Sequence, residues 1–323
     1  MPFDRRLSFA LLLAGVALLA GLDRAPDRPI PEPFPPVAVE GIDNAHRLTD
    51  KVIAGAAPEG DASFESLRKL GIKTIITVDG ATPDVEGARR HGLRYVHLPI
   101  GYDDVAPEEG LAIAKAIEEL PGPVYVHCHH GRHRSAAAVA VACVVSGRLK
   151  PEQAESVLNT FGTGENYKGL WASARAARPV DKAVLDAVKV DYVETAKVPP
   201  MAEAMVAIDQ TLDRLKLAAA SGWRTPGGHP DVDPPHEALQ LTEKLRELGR
   251  TDAVLRERPA PFRVLLNHGE AHAQSLQDAL ATWSKQAGAA TPPPATLDAA
   301  LKSVTSSCSA CHKTYRDELK SSH

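Results

Sequence analysis

The stretch His127-Cys128-His129-His130-Gly131-Arg132-His133-Arg134-Ser135 constrains the fold of this chain more than any other. It follows the apolar run Pro123-Val124-Tyr125-Val126 and precedes the small-residue run from Ala136 to Val145, so the order is buried strand, tight loop, helix. Such a loop gathers backbone amides and the start of a helix dipole around one pocket, a setting that suits an anion. Arg132, Arg134 and three histidines gather there in a chain whose formal net charge is −4. The local field therefore favours small anionic substrates, while the global balance does not point to nucleic acid.

The fixed positions each have a physical task. Cys128 sits where amides and a helix N-terminus favour the thiolate, the form that attacks. Gly131 can take a backbone angle that a side chain forbids, which lets the loop curl around an anion. Arg134 offers a planar fork of donors that suits two oxygens of an oxyanion. Three histidines within five residues also invite a metal, but the loop geometry is expected to point His129, His130 and His133 apart.

The spacing His-Cys-x-x-Gly-x-x-Arg-Ser resembles the signature loop of the cysteine-dependent protein tyrosine and dual-specificity phosphatases. The resemblance implies hydrolysis of phosphate monoesters through a phospho-cysteine, on a protein or a small molecule, with no metal required. It further implies that Ser135 stabilises the leaving thiolate and that His127 helps set the Cys128 pKa. His129, His130, Gly131, Arg132 and His133 then line the substrate site.

Ester cleavage also needs a proton for the departing oxygen, usually from a carboxylic acid. In the resembled family that aspartate lies a few tens of residues before the cysteine, just past a strand. Here the stretch is Leu98-Pro-Ile-Gly-Tyr-Asp103-Asp104-Val, with Asp103 the candidate and Asp104 the fallback. The pair could equally serve only to open the helix at Pro107, since acidic residues favour helix N-termini. No Trp-Pro-Asp is present, so the likeness is to the compact dual-specificity group.

Residues 39–177 are expected to form an α/β domain with a central, mostly parallel sheet flanked by helices. Strand-like runs occur at 51–54, 73–78, 93–98 and 124–126, with helices over 63–70, 107–120, the run after the loop, 151–160 and 166–177. Upstream, Arg5 and Arg6 precede an apolar run from Leu7 to Leu22, which is short for a spanning helix and suits a secretory signal or an uncleaved N-terminal anchor over 1–25. Export, to a periplasm, is the expectation. Between Pro26 and Pro36 six of eleven residues are proline, so 26–38 is expected to be an extended linker.

A second linker, 178–198, leads to 199–323. There Cys308-Ser-Ala-Cys311-His312 has the form of a c-type haem attachment sequence, in which two thiols form thioethers and the imidazole ligates iron. No second Cys pair completes a zinc site; the chain's other two cysteines are Cys128 and Cys143. Helical patterns at 199–221, 235–249, 262–285 and 297–320 predict an all-α four-helix bundle. Haem attached on the last of four helices, with Tyr315-Arg316 after it, resembles the cytochrome c prime group. In an up-down-up-down bundle Met205 lies nearer the level of His312 than Met201 does, so the sixth iron position is Met205, Met201 or open. His268 and His272 could also approach the haem. A redox partner is implied by this half, which on its own reads as an electron carrier or a gas or redox sensor.

Overall fold

The computed structural model describes residues 34–286 and 291–316. The expected export segment and most of the proline-rich linker lie outside the described residues. What is described of that linker is not a spacer: Phe34 is buried in the core and Pro36 forms a bridge with His46. The packed unit therefore takes in a residue the proline count had assigned to the linker, because Phe34 supplies apolar area that the surrounding prolines do not.

The first unit is built from β1 (His46–Arg47), β2 (Val52–Gly55), α1 (Gly60–Lys69), β3 (Thr74–Thr77), α2 (Val85–Arg90), β4 (Arg94–His97), α3 (Pro107–Glu119), β5 (Val124–His127), α4 (Arg134–Val145), α5 (Ala154–Phe161), α6 (Lys168–Ala176) and α7 (Lys182–Ala187). The five strands lie in the order β1-β2-β5-β3-β4, antiparallel only between β1 and β2. Alternate strand residues serve opposite faces, as the pleat requires. Val52, Ile76, Val96 and Val124 pack with α3 to α7 on one side, and Ile53, Ile75, Tyr95 and Tyr125 pack with α1 and α2 on the other.

All twelve residues of α4 are buried, so it has no polar face. Its alanines let the helix press between the sheet and α3, α5 and α6. This fixes the helix whose first turn closes the Cys128 loop. The segment 178–198 also belongs to this unit: Leu185 is buried, and the Val193 carbonyl accepts from the His97 amide at 2.9 Å.

The second unit comprises α8 (Pro200–Ala220), α9 (Pro234–Arg250), the short α10 (Asp252–Leu255), α11 (Ala260–Gln286) and α12 (Ala295–Tyr315). Leu212, Leu215, Leu241, Leu245, Leu276, Leu280, Leu297 and Val304 form its own core. α9 packs against α8 and α11, and α11 against α12; α8 and α12 do not approach each other as closely. Among the described residues no helix is long and apolar enough to cross a membrane.

Candidate active site

β5 delivers His127 and Cys128 to the C-terminal edge of the sheet, where α4 begins. The connecting loop is held from outside by its carbonyls: Ala57 N–H donates to His129 O at 3.0 Å, Asn44 Nδ2 to Gly131 O at 2.9 Å and Thr163 Oγ1 to Arg132 O at 2.6 Å. In a planar trans peptide the next amide points the opposite way, so the N–H groups of His130, Arg132 and His133 face away from those three partners. Gly131 has φ +66°, and a Cβ there would land on the Ala56 amide nitrogen. Only glycine fits that crossing of loop and backbone.

Cys128 is 3% exposed, and its Sγ lies 3.3 Å from Ser135 Oγ, within hydrogen-bond reach. Arg134 is also buried. Its Nη2 contacts Asp79 Oδ1 at 2.9 Å and donates to the Tyr102 hydroxyl at 2.9 Å, while the guanidinium sits 4.2 Å from the Tyr102 ring centre. A further donor, Nε–H, is buried and has no partner among the described residues. A buried unpaired donor on a fixed cation is an unmet demand for an acceptor, which an oxyanion beside it would meet.

Asp79 is buried. Burial alone would raise its pKa, but the Arg134 charge, with His127, His129 and the Gly80 amide, outweighs it and holds the carboxyl below the ordinary value. His127 Nε2 accepts from the Tyr95 hydroxyl at 2.7 Å, and its Nδ1 faces the Cys128 carbonyl at 3.4 Å. Burial pushes the His127 pKa down to about 4, so the ring is neutral at physiological pH. That state matches one donated and one accepted bond.

Asp103 and Asp104 stand on the loop before α3. The Asp103 carboxylate folds back over Gly101, and its backbone is pressed from the other side by α6, where a Cβ at Gly169 would land on the Asp103 carbonyl oxygen. From this loop it is Tyr102 that touches Arg134. His133 stacks on Tyr167 at 4.1 Å, and burial lowers its pKa to about 4. His129 and His130 turn toward α8, where His129 Nε2 meets Asp213 Oδ2 at 2.9 Å. The expectation that the three imidazoles diverge thus applies to His133 but not to the other two, because the adjacent rings turn to the same carboxylate.

The second unit closes on this edge at two further points. Val206 of α8 packs 3.4 Å from the place a Cβ on Gly80 would occupy. Arg316, at the end of α12, lies over Tyr167 at 4.3 Å and near Tyr102 at 5.4 Å. On α12, Cys308 and Cys311 are free thiols. Both belong to the helical core, together with Met201, Met205 and Tyr315. Burial raises the Cys308 thiol, and nearby Asp209 adds to that rise. Two thiols one turn apart, an imidazole at 312 and two methionines beside the less closely packed α8–α12 seam form a donor set that fits a c-type haem. His268 and His272 line a groove with Ser303, Ser306 and Ser307 between α11 and α12.

No family model matches the chain. Over 177 residues it is 29% identical to the dual specificity protein phosphatase TpbA of Pseudomonas aeruginosa strain UCBPP-PA14, a match taking in 53% of this chain and 80% of TpbA. Together with the Cys128 loop, that likeness supports a cysteine-dependent phosphatase domain. A beta-lactamase hydrolase-like protein of Xylella fastidiosa strain Temecula1 is 26% identical over 138 residues, which are 40% of this chain and 32% of that protein. The chain thus spans about a third of the length of that curated relative. The crystal structure of P. aeruginosa TpbA covers 47% of this chain and 93% of its own, with 23% identity and a TM-score of 0.40.

The sequence pattern missed Asp79, Tyr102, Asn44 and Tyr95. A signal for Asp79 existed in Thr77-Val78-Asp79-Gly80, an acid and a glycine just past a strand. Reading it required knowing that β3 lies beside β5.

Proposed function

We propose that this chain is an exported phosphatase that cleaves phosphate monoesters with Cys128 as nucleophile, joined to a helical unit carrying haem c. The observation that carries the first half is the buried, unpartnered Nε–H of Arg134, at the start of α4 where the Cys128 loop ends. In the first step the Cys128 thiolate attacks phosphorus, the P–O ester bond breaks, and the departing oxygen takes a proton from Asp103, with Asp104 as fallback. In the second, water attacks the phospho-cysteine, gives its proton to the same carboxylate and releases inorganic phosphate. Ser135, at 3.3 Å, donates to the sulfur as it regains negative charge. Gly131 shapes the cradle, His127 buttresses it from the sheet side, and Arg134 holds the equatorial oxygens.

Cys308 and Cys311 would attach the haem, His312 would ligate its iron, and Met205 is the candidate sixth ligand. When bound, the group would supply a one-electron couple. The N-terminal segment directs export to the periplasm and could anchor the chain. Purification from a periplasm-competent host tests both halves on one sample. Hydrolysis of p-nitrophenyl phosphate is expected for the native chain and absent in Cys128→Ser; equal turnover in that variant would sink the enzymatic reading. Haem that stays with the polypeptide after denaturation, and is lost in Cys308→Ala with Cys311→Ala, is the matching result for the second unit.

The engagement of Arg134 by Asp79 and Tyr102 favours a second reading. In it the pocket only binds an anion or a partner, and the protein is a haem electron carrier or sensor. Low-spin haem bands that shift in Met205→Ala, with no phosphate release from any ester, would select it; an open iron that binds CO would make it a sensor.

A further inference from the structure

We propose that His129, His130, Asp209 and Asp213 form a site for a divalent transition metal of the zinc type, bridging the Cys128 loop and helix α8. Their four donor atoms all lie within 4.8 Å of one another. The site does not rest on the phosphatase reading, since it needs only the side chains that the loop turns outward.

Four features of the geometry point to a cation. His129 and His130 are adjacent in sequence, yet both bring Nε2 to the same atom, Asp213 Oδ2, at 2.9 and 3.5 Å. Their rings lie 4.3 Å apart at 56°, so the two lone-pair directions converge from different angles. Asp209 and Asp213 are one helical turn apart, which places both carboxylates on one face of α8. Lys216 holds the other Asp213 oxygen, Oδ1, at 2.7 Å, and so orients Oδ2 toward the imidazoles.

Two imidazoles and two carboxylates are a donor set that zinc accepts in a four-coordinate site, whereas calcium and magnesium prefer oxygen alone. With bonds of about 2.0 Å, tetrahedral donors stand about 3.3 Å apart, so the widest pair must close by about 1.5 Å. Rotation of His130, whose side chain is 47% exposed, and of Asp209 supplies that movement. Without metal, one imidazole can donate Nε2–H to Oδ2. With metal, each Nε2 lone pair faces the ion and the remaining ring proton sits on Nδ1, so binding is acid-base exchange with no redox change.

The nearest competitor is the thiol pair, since Asp209 lies near Cys308. The test is zinc titration of the chelator-treated full chain by calorimetry, with thermal melts in parallel, for the native protein and for Asp209→Asn, Asp213→Asn and Cys308→Ser with Cys311→Ser. One zinc per chain, a rise in melting temperature with zinc, and loss of at least about tenfold in affinity in each Asp variant but not in the Cys variant is the expected result. If Asp213→Asn does not fold, the affinity of Asp209→Asn decides between the two outcomes. No saturable zinc binding, or binding that survives both Asp changes or vanishes with the thiols, overturns the assignment.

Discussion

Arg134 and Asp79 meet at 2.9 Å with both side chains almost wholly withdrawn from solvent. A guanidinium in that position cannot be left without its counter-ion. The carboxylate also sets which edge of the fork is occupied, since Nη2 faces Asp79 and Tyr102 while Nε stays available to an oxyanion. Asp79→Ala should therefore destabilise the fold by about 3 kcal/mol or more, read by urea unfolding, and abolish turnover. A variant as stable and active as the native protein would show that the pair is incidental.

Gly131→Ala tests the shape of the loop. The new Cβ meets the Ala56 amide, and the left-handed backbone at φ +66° adds strain. A loss of more than about 2 kcal/mol in unfolding free energy is expected, together with loss of phosphate or vanadate binding. Gly227→Ala, at a position with open space around it, is the control and should move stability little.

Proton donation by Asp103 predicts a dependence on the leaving group. With p-nitrophenol, which departs readily as an anion, Asp103→Asn should cost little; with an alkyl or unsubstituted phenyl ester it should cost about a hundredfold in kcat. The same loss appearing instead in Asp104→Asn would transfer the role to the fallback residue. Equal losses with both ester types would assign Asp103 a structural part.

The buried neutral His127 makes stability depend on pH in a defined direction. Its pKa is near 4 when folded and returns to the ordinary value near 6.5 on unfolding, so the unfolded chain takes up a proton first as pH falls. This contribution is complete above about pH 6.5 and declines between there and about pH 4, by roughly 3 kcal/mol in all. Denaturation midpoints at pH 7.5, 6 and 5 measure it, and His127→Asn should flatten that part of the profile. A native profile already flat across the window would contradict a buried neutral ring.

The loop was legible because strand, Cys-x-x-Gly-x-x-Arg and helix are contiguous, and contiguity is what a sequence pattern records. The inward stripe of α8 was legible for the same reason: Met201, Met205, Ile208, Leu212 and Leu215 all join the helical core. Asp79 escaped because its relevance depends on β3 lying next to β5, a fact of sheet order. Asn44, which ties Gly131 to Phe161 through two carbonyls, escaped because nothing near it in sequence needs it. The convergence of Asp209 and Asp213 on the loop required the docking of one unit against the other, which no local periodicity encodes.

Helix α6 grips the Asp103 strand of chain from behind, through the close approach at Gly169 and a 3.0 Å bond from the Val105 amide to Ser173 Oγ. A segment clamped in that way is poorly suited to swing over a guest like a flap. Any broadening of the clientele by mutation would have to come from side-chain replacement at the rim, at Tyr102, Tyr167 or Arg316, and a bulkier residue at 169 would unseat the rim itself.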